Sequence, residues 1–254
     1  MIKAHGLSHQ GHVRSSNEDA MTWDVAIGFV AIADGMGGHQ AGEVASSVAL
    51  ESILNFMRKS AVNDDFTWPF GVDPALSLTA NRLITGLRIG NRRVFRQSEE
   101  VPDYTGMGTT VVALVADGAT VTYASVGDSR MYSFLDGRLQ QLTRDDSWLV
   151  MMSEEAGADA ATLRGHPMRN VLTSVIGARP ELQVHAAEMT LGKETLLLCT
   201  DGMHGAVSDQ TMAAILQAAS DPQAAVQSLV RAALDAGGKD NITVVLVSHD
   251  GAAA

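Results

Sequence analysis

The stretch GTTVVALVADGATVTYASVGDSRMYSFLDGRLQQLT, residues 108–143, sets short apolar runs between Asp-Gly pairs at 117–118 and 136–137. β-branched and aromatic residues favour extended chain, and Asp-Gly between such runs favours the two-residue hairpin turn. The stretch therefore predicts four short strands, and consecutive hairpins require antiparallel pairing. Further strands are expected near 3–8, 20–24, 27–33, 183–189, 194–200 and 242–248.

Helices punctuate these strands. Leu50, Ile53, Leu54 and Met57 fall at i, i+3, i+4, i+7, the apolar stripe of an amphipathic helix. Leu76, Ala80, Leu83, Leu87 and Val94 form a second stripe, for which Asp73 is the expected cap and Pro74 the opening residue. Near the C-terminus Asp221 caps, Pro222 opens and Gly237 stops a third helix, with a shorter one starting at Ser208. Many antiparallel strands and a few amphipathic helices predict an α+β fold. Two packed antiparallel sheets are flanked by helices in a four-layer α/β/β/α sandwich. No repeat, linker or low-complexity tract divides the chain, so residues 1–254 are expected to be one domain. The strand pattern lapses over 144–181, which reads as an irregular, partly helical excursion.

Composition narrows the function. A hydrophobic share of 46% with 19% charged residues is that of a soluble globular protein. No apolar run nears the roughly 18 residues needed to span a bilayer, and the first 20 residues hold no apolar leader. A cytoplasmic protein without a membrane partner is expected. The single Cys199 excludes an internal disulfide and a cysteine-based zinc cluster. A net charge of -11, from 29 acidic and 18 basic residues, disfavours nucleic acid as a partner. Arg88, Arg92, Arg93 and Arg96 sit at helical spacing and read as a solvated face.

The acidic residues are not scattered evenly. In GFVAIADGMGG (28–38) and ETLLLCTDGMHG (194–205) an apolar strand runs into Asp34-Gly35 and Asp201-Gly202. Asp128 also follows a strand, while Asp19 and Asp240 precede one. In antiparallel sheets the end of one strand lies beside the start of its neighbour, so all five aspartates can gather at one edge of the sandwich. Carboxylates so placed repel unless cations hold them together. Oxygen ligands without cysteine favour Mg2+ or Mn2+. Arg14, just before Asn17-Glu18-Asp19, offers the planar fork that suits a phosphate.

The ordered segments GHVRSSNEDA, VAIADGMGGHQAGEVAS, GMGTTVV, SVGDSRMY, LTRDDS, HPMRNVLTSVIG, LLLCTDGM and DNITVVLV span Gly11 to Val247. Together they closely resemble the bacterial branch of the metal-dependent type 2C serine/threonine protein phosphatases. The resemblance implies two core Mg2+ or Mn2+ ions, bridged by Asp34, with the Gly35 carbonyl on one and Asp201 and Asp240 completing the second site. Glu18 and Asp19 would act through ion-bound waters, and Arg14 would grip phosphate. Asp128 would share a weaker third ion with Asp201, and 144–181 would form a flap linked to substrate choice. The implied reaction is hydrolysis of phosphoserine and phosphothreonine in proteins by a metal-bridging hydroxide, without a phosphoenzyme. The implied partners are phosphoprotein substrates and a bacterial Ser/Thr kinase whose work is reversed, and a monomer is expected. Two positions depart from the family. Met36 stands where animal members carry a proposed histidine acid, leaving His39 as the candidate proton donor, and Asp146 stands where relatives often have histidine. Two other readings stay open: a non-catalytic phosphoprotein-binding relative, and a phosphoesterase for small molecules. A nucleotide-binding module is disfavoured because GMGTTV breaks G-x-G-x-x-G at Val111.

Overall fold

The computed structural model describes residues 1–38, 40–62, 67–155, 163 and 165–249. The strands among them are β1 (Ile2–His9), β2 (Asp19–Asp24), β3 (Phe29–Met36), β4 (Gly108–Thr109), β5 (Val111–Asp117), β6 (Thr120–Val126), β7 (Arg130–Leu135), β8 (Arg138–Gln141), β9 (Ala186–Thr190), β10 (Thr195–Cys199) and β11 (Ile242–His249). They form two antiparallel sheets, one ordered β1-β11-β10-β7-β8 and the other β2-β3-β5-β6-β9, with β4 paired to the end of β3. The helices are α1 (Ala41–Ala61), α2 (Leu78–Glu100), α3 (Trp148–Glu155), α4 (Asp201–His204), α5 (Asp209–Ala218) and α6 (Pro222–Asp235).

Strand alternation sorts side chains into layers. Val30 and Ile32 of β3, Val112 and Leu114 of β5, Leu196 and Leu198 of β10, and Val245 and Val247 of β11 pack between the sheets. The intervening Ala31, Ala33 and Ala113 face Ala45, Ala49 and Ile53 of α1 and Leu83 and Leu87 of α2. Leu197, Cys199, Val244 and Leu246 face Met212 of α5 and Val226 and Leu229 of α6. The expected α/β/β/α order of layers is therefore the observed one. Asp136 (φ 49) and Gly137 (φ 78) are both left-handed, the conformation that a two-residue hairpin between β7 and β8 requires. Among the described residues no helix is long and apolar enough to cross a membrane.

Two expectations shift. First, α2 does not start at Pro74. Its cap is Ser77, whose Oγ accepts from the Ala80 N–H at 3.0 Å. Asp73 instead closes a turn of its own by accepting from the Ala75 N–H at 2.9 Å, and the Asn81 side chain holds that turn through the Asp73 N–H and C=O. Second, β3 continues through Asp34 and Gly35 to Met36, because β4 pairs with Gly35 and Met36. The arginine stripe on α2 is a solvated face as expected, with Arg92, Arg93 and Arg96 exposed: the Arg92 guanidinium lies 4.3 Å from the Phe70 ring centroid, and Arg96 pairs with Glu100 at 2.7 Å in solvent.

Candidate active site

The β2–β3 ladder sets Asp19 directly opposite Asp34. Asp34 is held by its backbone: its N–H donates to Thr110 Oγ1 at 3.1 Å, and its carbonyl accepts from Thr110 N–H and Thr109 Oγ1, each at 2.8 Å. Its carboxyl is thereby left to face the other acids. The next residue must be glycine, since a Cβ on Gly35 would lie 2.0 Å from the Gly42 carbonyl oxygen. Gly42, in the first turn of α1, has a similar duty toward a side chain: its Cβ would lie 2.6 Å from the Glu18 carboxyl carbon.

The second sheet brings its own acids to the same edge. Thr200 follows directly after β10 and donates from Oγ1 to Asp19 Oδ2 at 2.9 Å, so one hydroxyl ties the two sheets together. Asp201 follows as the first residue of α4, with Gly202 packed so closely on the Asn241 carbonyl that a Cβ would sit 1.9 Å from it. Asp240 precedes β11, accepting from the Asn241 N–H at 2.9 Å through Oδ1 and from Arg14 Nη2 at 2.8 Å through Oδ2. Asp128 lies in the bend between β6 and β7, with its backbone carbonyl 2.9 Å from His204 Nε2.

The acids act on one another electrostatically. Burial pushes the Asp34 carboxyl well above its ordinary value, and Asp19, Asp201, Asp128 and Asp240 each push it further. Burial is also the first cause raising Asp19 to about 7, with Asp201 and Asp240 adding to it against the Thr243 and Thr200 hydrogen bonds. Asp128 rises to about 7 through burial and then Asp201. Asp201 is raised by burial and Asp240, while a hydrogen bond with the Asp34 carboxyl works the other way. Glu18 is raised by burial against the opposing Arg14. Two oxygens in this group, Asp19 Oδ1 and Asp201 Oδ1, are buried without a hydrogen-bond partner. A buried, unpaired carboxylate oxygen is costly, and an all-oxygen set of this kind fits hard divalent cations. Among the described residues no three acidic, histidine or cysteine side chains already close into a finished cage. The fit therefore rests on the orphaned oxygens and the donor chemistry.

Sequence reading missed the residues that hold this arrangement. Asn241 is the clearest: its Oδ1 accepts from the Glu18 N–H at 2.8 Å, and its Nδ2 donates to the Gln10 and Ser16 carbonyls, each at 2.9 Å. One carboxamide so fixes the loop carrying Arg14 against the strand start carrying Asp240. The signal was its place in DNIT, directly after a candidate ligand. Asp146 accepts from the Gly127 N–H at 3.1 Å through Oδ2, and its own N–H donates to the Gly127 carbonyl at 2.8 Å. It thus anchors the 144–181 segment beside Asp128. In that segment Trp148 stacks on His166 at 4.4 Å, and Ile176 pairs with Thr109. His39, and residues 156–162 and 164 of the segment, lie outside the described residues.

Known proteins share this sequence and fold. Residues 5–236 match the family described as Protein phosphatase 2C. The serine/threonine protein phosphatase PstP of Mycobacterium tuberculosis is 35% identical over 242 residues, covering 94% of this chain and 43% of its own length. The chain thus spans less than half of that relative. The serine/threonine phosphatase stp of Listeria monocytogenes is 32% identical over 227 residues, covering 87% of this chain and 84% of its own. The crystal structure of the PstP catalytic domain in complex with two manganese ions superimposes with a TM-score of 0.80 at 30% identity, covering 97% of each chain. On this shared sequence, and on the fold it shares with such structures, the chain belongs to the protein phosphatase 2C family.

Proposed function

We propose that the chain hydrolyses phosphoserine and phosphothreonine in proteins with the help of Mg2+ or Mn2+. The observation that carries this reading is the set of four aspartates drawn around Asp34 from both sheets, with two buried oxygens left over and Arg14 at the rim. Asp34, the Gly35 carbonyl, Asp201 and Asp240 would hold two core ions, with Asp34 shared between them. Glu18 and Asp19 would act through water, and Asp128 with Asp201 would hold a weaker third ion. When bound, the ions lower the pKa of water enough for it to attack phosphorus near neutral pH. Arg14 exchanges the Asp240 carboxylate for phosphoryl oxygens, orients them for in-line attack and stabilises the charge that builds on them. The shared loop hydrogen bonds through Asn241 keep that guanidinium over the carboxylates. Cys199 is fully buried between β10 and α6, with its thiol pushed far up by burial, so it takes no part as a nucleophile.

The natural substrates in this reading are cytoplasmic phosphoproteins, acted on by a monomer that reverses a Ser/Thr kinase. The names of the relatives and the two manganese ions of PstP support this reading. Phosphate release from a phosphothreonine peptide, with a phosphotyrosine peptide as control, tests it. The expected result is release that stops in excess EDTA and returns with Mn2+. Full turnover after exhaustive dialysis against EDTA would overturn the reading, and a preference for small phosphoesters over the peptide would move the substrate class.

A further inference from the structure

The bend that presents Asp128 is held from more than one side. Gly127 has φ 97 and lies so close to Thr110 that a Cβ would meet its side chain at 2.6 Å. Asp146 takes the Gly127 N–H and gives its own N–H to the Gly127 carbonyl. The remaining anchor comes from α4: the Asp128 carbonyl faces His204 Nε2 at 2.9 Å. A carbonyl oxygen only accepts, so Nε2 is the ring nitrogen that carries the proton. His204 is three residues after Asp201, in the same single turn of helix. One hydrogen bond therefore connects the backbone of one acid to the helical turn that begins with the other.

We infer that His204 is a positioning residue for the outermost cation, setting the separation of the Asp128 and Asp201 carboxylates through its Nε2–H bond to the Asp128 carbonyl. The inference rests on the assignment of those two carboxylates to a third, weaker ion. A site with few protein ligands depends heavily on their spacing, because each remaining position is filled by water. The core ions, held by Asp34, Asp201 and Asp240, do not use the Asp128 bend and are left intact when His204 is changed.

The test is calorimetric Mn2+ binding to the intact chain, wild type against two variants, with thermal unfolding in parallel. His204→Leu fills the space without a donor, and His204→Gln returns an amide N–H to about the position of Nε2. The expected result is that the leucine variant binds its weakest Mn2+ at least about fivefold less tightly, keeps two tighter ions, and that glutamine restores binding to within about twofold. A loss of phosphopeptide turnover that higher Mn2+ recovers, at unchanged KM, would accompany it. Wild-type affinity in the leucine variant overturns the role of His204, as does an equal loss in both variants. A wild-type chain that binds no third ion removes the assignment of Asp128 itself, and the inference with it. If the leucine variant does not fold, His204→Asn, too short to reach the carbonyl, takes its place with the same expected weakening and the same overturning results.

Discussion

Gly42 contributes an empty space, and the Glu18 carboxyl group occupies it. A methyl group there would stand 2.6 Å from the Glu18 carboxyl carbon and 2.7 Å from Oε1. These atoms end a flexible side chain, so they move aside at small cost, and alanine in a helix is favoured over glycine by about 1 kcal/mol. Gly42→Ala is therefore expected to keep or raise the unfolding midpoint while lowering turnover at limiting Mn2+ by about tenfold, the factor that about 1.4 kcal/mol of lost ion binding produces. Gly202→Ala is the internal contrast. Its Cβ would meet the Asn241 carbonyl oxygen at 1.9 Å, and backbone cannot swing away, so this variant should lose stability and activity together. Urea unfolding of both variants beside phosphopeptide turnover checks the pair. Equal losses of stability in the two would contradict the distinction between a displaced side chain and a displaced backbone.

Among the elements, α2 shows how local chemistry can mislead when several caps compete. Asp73-Pro74 has the composition of a helix start, yet Asn81 reaches back to the Asp73 N–H and C=O and to the Leu76 and Ser77 carbonyls. The preceding turn is thereby stabilised as a turn, and Ser77 becomes the cap. Ser77→Ala should cost about 1 kcal/mol, the ordinary worth of a serine cap, whereas Pro74→Ala should change stability by no more than about 0.5 kcal/mol, the usual range at surface positions without a special role. Equilibrium urea denaturation decides between them, and a larger loss at Pro74 would restore the earlier start. The strands were legible because period-two burial and Asp-Gly turns are local signals. The convergence of Asp19, Asp34, Asp128, Asp201 and Asp240 was legible from strand polarity. What the sequence hid were the hydrogen bonds of Asn241, Thr200, Asp146 and His204, whose partners lie far along the chain. Nothing local distinguishes such a residue from any other polar side chain near a turn. That β3 runs on past Asp34 through Gly35 to Met36 was hidden for the same reason, since β4, which pairs with Gly35 and Met36, lies far along the chain.

At the scale of the whole molecule the two sheets meet at the acids, where Thr200 on one side reaches Asp19 on the other. The stability of the sandwich should therefore depend on how much charge that edge carries. Asp19 and Asp128 titrate near 7 in the folded chain, and Asp34, Asp201 and Glu18 are raised as well. In the unfolded chain the same groups release their protons near 4. Between about pH 4 and pH 7 these five acids bind more protons in the folded state than in the unfolded one and make stability fall as pH rises, outweighing the single His204 imidazole, which burial pushes down to about 4 and which acts with the opposite sign over the same range. Asp24 and Asp221 have the opposite sign, because the Arg58 side chain and the Ala224 N–H hold them below their ordinary values. Their contribution is present above about pH 4 and lost below it, outside this window, and exposed pairs count for little. Divalent cations bind the ionised acids of the folded state and add stability by mass action, and more so as protons leave. In EDTA the unfolding temperature is therefore expected to decline from about pH 4 toward pH 7, and in millimolar Mn2+ to decline less or to rise. Differential scanning calorimetry across that range, with and without Mn2+, measures both curves. Parallel curves would mean that the ions do not bind where the protons leave, and the acidic edge would then have to be stabilised by something other than a cation.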